Sequence, residues 1–194
     1  MATRPDPGTQ RADARRNRAR ILEVAVDAFA RDGLGVPVQE IARRAGVSTG
    51  TVSRHFPAKD DLFAAIILDR FQRLVATART LAATELPGPA FYRYIEAVAL
   101  EGAGNRAVVN ALAGAGFDVR AAAGGADMDL TGAWNALLSS AQAAGQVRAD
   151  ITIDDVKALV IACCAPGNGS DSAKDATRRL LSVVTAGLKP AAQA

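Results

Sequence analysis

From residue 17 onward the apolar side chains recur at helical spacing. Ile21, Leu22, Ala25, Ala28 and Phe29 lie three and four positions apart, the interval that lines one face of an α-helix, and Asp32-Gly33 stops the run. A second, short helix is expected over 38–45, with Val38, Ile41, Ala42 and Ala45 on one face. Pro37 stands just ahead of it, and Gly46 is placed to take the left-handed position that ends it. Ser48 is a good N-cap for a third helix, which Pro57 limits by restricting the residue before it. Val47 is expected to plug the turn, while Val52 and Phe56 pack the third helix inward. Thr49, Gly50, Ser53, Arg54 and His55 are then left on or near the outer surface.

A long fourth helix follows, from about 59 to 84. Leu62, Phe63, Ile66, Ile67, Phe71, Leu74, Val75, Ala78 and Leu81 give a stripe wide enough to face two partners. Asp60 and Asp61 suit its positive N-terminal end, and Leu-Pro-Gly-Pro at 86–89 breaks it. Further helices are expected near 90–101, 104–115, 124–144, 153–164 and 171–187. No strand-like alternation competes, so the predicted fold is all-α. Residues 1–14 show no apolar pattern and are expected to form a disordered arm. Two helices separated by about three residues with a glycine in the turn make a helix-turn-helix.

Composition sharpens this picture in three ways. Hydrophobic residues make up 49% of the 194, yet aromatics are only 5% and alanine supplies much of the rest, which favours closely packed helices. The longest apolar run, 158–165, is far too short to span a bilayer, and the N-terminal segment lacks the apolar stretch of a signal peptide. A cytoplasmic protein without membrane contact is expected. Charge is uneven: residues 1–60 hold 11 Lys and Arg against 7 Asp and Glu, whereas 61–194 hold 12 against 13. A basic head on a near-neutral body points to a polyanion as the partner of the head. The adjacent Cys163 and Cys164 read as a reduced, buried pair.

The titratable inventory argues against an enzyme. There is one histidine, no HExxH, no separated cysteine–histidine spacing and no P-loop, and no cofactor is expected. Glycines at 102, 104, 167 and 169 follow no strand and read as helix breaks. Asp127, Asp129, Asp154 and Asp155 fall where helices should begin, so capping accounts for them. The head offers different chemistry. Arg11, Arg15, Arg16, Arg18 and Arg20 precede the helix-turn-helix and suit phosphates or a minor groove. Ser48, Thr49 and Thr51 carry short hydroxyls, Gly50 admits close backbone approach to a phosphate, and Arg54 and His55 donate to phosphate oxygens or base acceptors. Downstream, Phe71, Phe91, Tyr92, Tyr94, Phe117, Met128 and Trp134 are either ordinary core or the lining of an apolar pocket between helices.

The head resembles the TetR family of bacterial transcription regulators. The likeness runs through RARILEVAVDAFARDG and VQEIARRAGVSTGTVSRHFPAKDDLF, roughly residues 15–63, and the later WNALLSSAQAAGQVRADITIDDVKALV, 134–160, is similar to the family's regulatory portion. The resemblance implies a homodimer whose heads, residues 15–60, read a palindromic duplex operator. It further implies that residues 61–194 bind an as yet unknown small molecule and dimerise, usually with repression relieved by the ligand. Carried over by position, Gln39, Thr49, Gly50, Thr51, Ser53, Arg54 and His55 are DNA-contact candidates, and Lys59 matches a phosphate-clamping lysine. Phe71, Tyr94, Phe117, Met128 and Trp134 become ligand candidates. Of the last two helices, which usually build the dimer, one stripe holds Ile153, Val156, Leu159, Val160 and Cys163. The other holds Leu180, Leu181, Val183, Val184 and Leu188, and either stripe could equally be intramolecular core. Three departures stand out: Ser53 replaces a common tyrosine, Ala58 a polar cap, and Pro37-Val38 a frequent threonine pair. They leave open a rival reading, a helical ligand-binding or interaction protein that no longer reads a specific operator.

Overall fold

The computed structural model describes residues 7–32, 35–104, 129–164 and 170–190. Among them the chain is wholly helical: α1 (Pro7–Asp32), α2 (Val38–Ala45), α3 (Thr49–His55), α4 (Lys59–Thr84), α5 (Pro87–Gly104), α6 (Leu130–Ala143), α7 (Ile153–Cys163) and α8 (Asp171–Leu188). The helix expected near 104–115 and the start of that near 124–144 lie outside the described residues. The chain divides into two units, Met1–Ile66 and Ile67–Ala194, with the boundary inside α4. That boundary falls six residues later than the expected 60/61 because Leu62, Ala65 and Ile66 are buried in the core of the first unit.

The first unit is built on one apolar cluster. Ile21, Leu22, Ala25 and Ala28 of α1 meet Ile41, Ala42 and Ala45 of α2, Val52 of α3, and Phe56, with Phe29, Val38 and Val47 packed against them. The register is the one expected from the sequence. The start of α1 is not: the helix begins at Pro7, well ahead of Asn17, and so takes in more than half of the segment expected to be disordered. Proline costs nothing at the first helical position, where its missing N–H has no intrahelical partner, and the alanines, arginines and glutamine that follow are good helix formers. Propensity extends this helix where burial does not, since residues 13–16 and 18–20 are all exposed.

The turn between α2 and α3 is tightly specified. Gly46 takes φ 65°, ψ 33°, its N–H donates to the Arg43 carbonyl and that of Val47 to the Ala42 carbonyl (3.2 and 3.0 Å). These two bonds close α2 as a Schellman motif and leave three residues before α3. The same pairing ends α6, through Gly145 and Gln146 onto Gln142 and Ala141. The end of α2 is also tied electrostatically. Glu40 accepts from Arg43 and Arg44, and Arg44 reaches Asp32 at the end of α1 (2.7 Å). The hydrogen bonds from Arg43 and Arg44 hold the Glu40 carboxyl down at about 2.

In the second unit, α5 packs on α6, α7 and α8. Its buried face carries Phe91, Tyr94, Ile95, Val98 and Ala99. Capping accounts for two of the acidic residues as expected: Asp129 accepts from the Gly132 N–H, and Thr152 with Asp155 forms a reciprocal capping box at α7, while Asp154 in the same first turn pairs with Lys157. Asp127 is outside the described residues. Cys163 is buried and Cys164 half-buried, both unbridged, and burial pushes the Cys164 thiol up to about 11.

Two expectations concern stability. Gly46→Ala forces an L side chain into the left-handed region and should lower urea-unfolding stability by about 1–2 kcal/mol; the new Cβ meets only the Arg20 guanidinium, at 3.4 Å, so the cost is conformational. Glu40 has a depressed folded-state pKa, so its contribution is present above about 4.5 and is lost as the pH falls toward about 2. Glu40→Gln should therefore flatten the acid limb of the stability profile between those two values, measured by urea unfolding at stepped pH.

Candidate nucleic-acid interface

The seven residues of α3 are too few for an isolated helix, and three devices hold them. Ser48 caps the N-terminus, accepting from the Thr51 N–H at 3.1 Å. Val52 is 0% exposed and anchors the middle. Phe56, buried behind the last turn and extended ahead of Pro57, stops the helix there. With the inner face fixed, Thr49, Gly50, Ser53 and Arg54 stand exposed together, and Thr51 and His55 are half-exposed beside them. Ser48 is exposed as well, with its hydroxyl 2.8 Å from that of Thr51. One hydrogen of that hydroxyl pair is consumed in the mutual bond; the other stays available to an acceptor outside.

Around this edge the chain places cations on apolar supports. The Arg18 guanidinium lies over the Phe56 ring, 5.4 Å from its centroid, and the Lys59 ammonium lies 5.7 Å from that of Phe29. Arg20 reaches the α2–α3 turn, where its guanidinium would touch a Cβ added to Gly46. Arg15 and Arg16 are exposed on the polar start of α1, Arg16 paired with Asp13. The Arg11 side chain lies outside the described set. Gln39 is exposed in the first turn of α2, which Pro37 leaves without a side-chain cap. Ala58 likewise supplies no cap to α4, but Asp61 reaches back to accept its N–H at 2.9 Å, so the helix start is repaired from within.

The arrangement therefore joins short hydroxyls, a bare glycine and several guanidinium groups along one edge. It holds donors and positive charge. Among the described residues no cluster of histidine, cysteine or carboxylate side chains could hold a metal ion, and no helix is long and apolar enough to cross a membrane. Sequence reasoning missed the seating of Arg18 on Phe56, which lies far along the chain and leaves no local signal. It also passed over the Glu40–Arg43–Arg44 cluster, although the i, i+3 and i, i+4 spacing was a signal that could have found it.

The sequence-predicted residues of the second unit divide. Phe71, Tyr94 and Trp134 are all buried, Tyr94 and Trp134 against each other, while Phe117 and Met128 lie outside the described residues. An open cleft of about 500 Å³ lies elsewhere, lined by Gly88, Pro89, Tyr92, Gly145, Gln146, Lys189 and Pro190, and none of those three aromatics lines it. The predicted dimer stripes need correction. Val156, Val160 and Cys163 are buried within the chain, as are Leu181 and Leu188, so these face inward. Helical spacing shows that a face is apolar without saying whose surface covers it. Leu180 and Val183 remain outward, 47% and 73% exposed, with Val184 and Leu159 half-exposed.

Comparison with known proteins gives two family matches. Residues 21–66 match the bacterial regulatory proteins of the tetR family, and residues 86–190 match the C-terminal domain of SbtR-like transcriptional regulators. Among solved structures, a TetR transcription regulatory protein from Mycobacterium vanbaalenii is 44% identical, covering 93% of this chain and 99% of that one, with a TM-score of 0.68. A TetR transcriptional regulator from Streptomyces coelicolor is 29% identical over 90% of this chain and 99% of its own, at a TM-score of 0.69. The TetR family protein CprB from the same species is 27% identical, with 90% of each chain covered and a TM-score of 0.61. No curated protein matches.

Gly50→Ala separates folding from contact at this edge. The added Cβ meets nothing closer than the Ser48 hydroxyl at 3.8 Å. Thermal stability should hold or rise, since alanine is favoured over glycine within a helix by about 0.5–1 kcal/mol. Affinity for a cognate duplex should fall roughly tenfold, the equivalent of about 1.4 kcal/mol. Melting curves and gel shifts on the same preparation check both.

Proposed function

The chain belongs to the TetR family of bacterial regulatory proteins and is a transcription regulator; from that premise we propose a homodimeric repressor that reads a palindromic operator through α3 and lets go when a small molecule binds the helical unit. The observation that carries this reading is the division of α3, with Val52 sealed in the core and Thr49, Gly50, Ser53 and Arg54 exposed side by side. Each α3 enters a major groove, with half-sites about one helical turn or somewhat more apart. Gln39, Thr51, His55 and the Ser48 hydroxyl flank the readers, and Lys59, Arg15, Arg16 and Arg18 engage phosphates or the minor groove. Ser53 is too short for the backbone contact that a tyrosine there would make. The role calls for a cytoplasmic protein without catalytic activity.

Dimerisation is assigned to two of the three large apolar side chains exposed among the described residues, Leu180 and Val183 of α8, with the half-exposed Val184 and Leu159 completing the patch. A two-fold contact sets the same patch against itself, so four such side chains from each copy bury one another. Ligand release requires that the small molecule bind two spacings of the heads with different affinity, a coupling of about 1–3 kcal/mol in typical cases. α4 is the lever in this scheme, because its residues belong to the cores of both units.

Footprinting across the intergenic DNA beside the gene tests the reading. Two protected half-sites related by dyad symmetry are expected, together with a dimer in analytical ultracentrifugation at micromolar protein. Val183→Glu should shift that dimer to monomer and weaken protection while leaving helical content intact. Equal affinity for flanking and scrambled duplex, combined with tight small-molecule binding, would establish the rival helical ligand-binding protein instead.

A further inference from the structure

Tyr94 of α5 and Trp134 of α6 meet edge to face, their ring centroids 5.4 Å apart and their planes at 78°. Tyr94 is 0% exposed and Trp134 2%. The Tyr94 hydroxyl and the Trp134 indole nitrogen are both buried and unanswered among the described residues, where the Arg70 Nε and the Thr177 hydroxyl are the other two such atoms. The pair contrasts with its surroundings. Tyr92, two residues away, donates to the Gln146 carbonyl at 2.9 Å, and Gln142 of α6 donates to the carbonyls of Arg148 and Ile151. Unanswered buried donors are costly and scarce, and two of them on touching rings call for an explanation that packing does not supply.

The chemistry of the missing partner follows from the donors. An indole N–H only donates. Burial pushes the Tyr94 phenol up, so it stays protonated and donates as well. The partner must therefore present an accepting oxygen. It must also be uncharged. α6 contains no ionisable side chain, and the single cation of α5, Arg93, is paired with Glu85. Arg70 of α4 is likewise held by Glu101 of α5, so among the described residues an anion seated on these two helices would lie without an unpaired counter-charge. The other large residues buried on these two helices, Phe91, Ile95, Val98, Leu137 and Leu138, are apolar.

We propose that Tyr94 and Trp134 form the polar end of the effector site and that the effector is a small, largely apolar, uncharged molecule whose carbonyl oxygen accepts from both. The inference rests on the reading of the protein as a ligand-responsive regulator and names the chemistry of its ligand. Trp134 is the chain's one tryptophan, so its indole N–H gives a single side-chain cross-peak in a ¹⁵N–¹H spectrum of the full-length protein. Cyclohexanone, methylcyclohexane and cyclohexanecarboxylate are the probes, alike in bulk and different in the acceptor.

The ketone should move that cross-peak downfield and saturably, the hydrocarbon should bind more weakly without the downfield move, and the carboxylate should bind weakest. Tyr94→Phe, which keeps the ring, should weaken the ketone about three- to tenfold, the worth of one hydrogen bond, and leave the hydrocarbon unchanged. The free variant should be at least as stable as the parent in urea, because an unanswered hydroxyl has been removed. A free-protein cross-peak already at its hydrogen-bonded position, no saturable movement with the ketone, equal or tighter binding of hydrocarbon or carboxylate, or a marked loss of stability in Tyr94→Phe would each overturn the proposal. Operator footprinting fails or succeeds separately: intact protection beside a silent indole signal sinks the ligand chemistry alone, whereas a responsive indole in a protein that reads no duplex sinks the regulator.

Discussion

The exposed edge of α3 depends on one constraint, the capture of Val52 and Phe56 by the apolar cluster of α1 and α2. A seven-residue helix has little stability of its own. Burying a valine and a phenylalanine contributes about 1.5–3 kcal/mol each, several times what the Ser48 cap adds. Packing therefore decides the rotation of α3 about its axis. Once Val52 points inward, Thr49, Gly50 and Ser53 have no choice but the opposite edge. The left-handed Gly46 acts on the same outcome from the other side, since it sets where the chain leaves α2 and hence where α3 can start.

Electrostatics then separates working charge from structural charge. Arg43 and Arg44 are claimed by Glu40, and Arg44 by Asp32 as well, so this part of the head's positive charge braces α2 against α1. Arg18 and Lys59 lie over aromatic rings, an arrangement that restrains the side chains near the edge of α3. The second unit follows the opposite economy. Its salt bridges around α5, Arg70–Glu101, Arg93–Glu85 and Arg178–Glu96, pair each cation with a carboxylate, and the buried polar atoms left without a partner are the Arg70 Nε, the Thr177 hydroxyl and the neutral donors of Tyr94 and Trp134.

Much of this was legible from the residues, and what was not has definite physical causes. The helix-turn-helix could be read because each of its parts has a local signature: a 3.6-residue apolar period, a glycine where φ must be positive, a serine where an N–H needs an acceptor. The long N-terminal extension of α1 could not be read from periodicity, because propensity rather than burial sustains it. In α7 the period marked a face but left two candidates to cover it: Val156, Val160 and Cys163 are covered by the chain itself. Likewise an aromatic stripe announced that Tyr94 and Trp134 are buried, whereas only coordinates reveal that their polar atoms go unanswered.

The central claim is that α3 reads bases with its exposed edge while the surrounding cations only hold the backbone. Measuring affinity for an operator and every single-base-pair variant of it, with the parent, Arg54→Ala and Lys59→Ala, tests this most directly. The account predicts that Arg54→Ala erases discrimination at one symmetry-related pair of positions, by about 1–3 kcal/mol, and that Lys59→Ala weakens all sequences equally and lowers the salt slope by about one. Uniform weakening from Arg54→Ala, with discrimination preserved at every position, would contradict it.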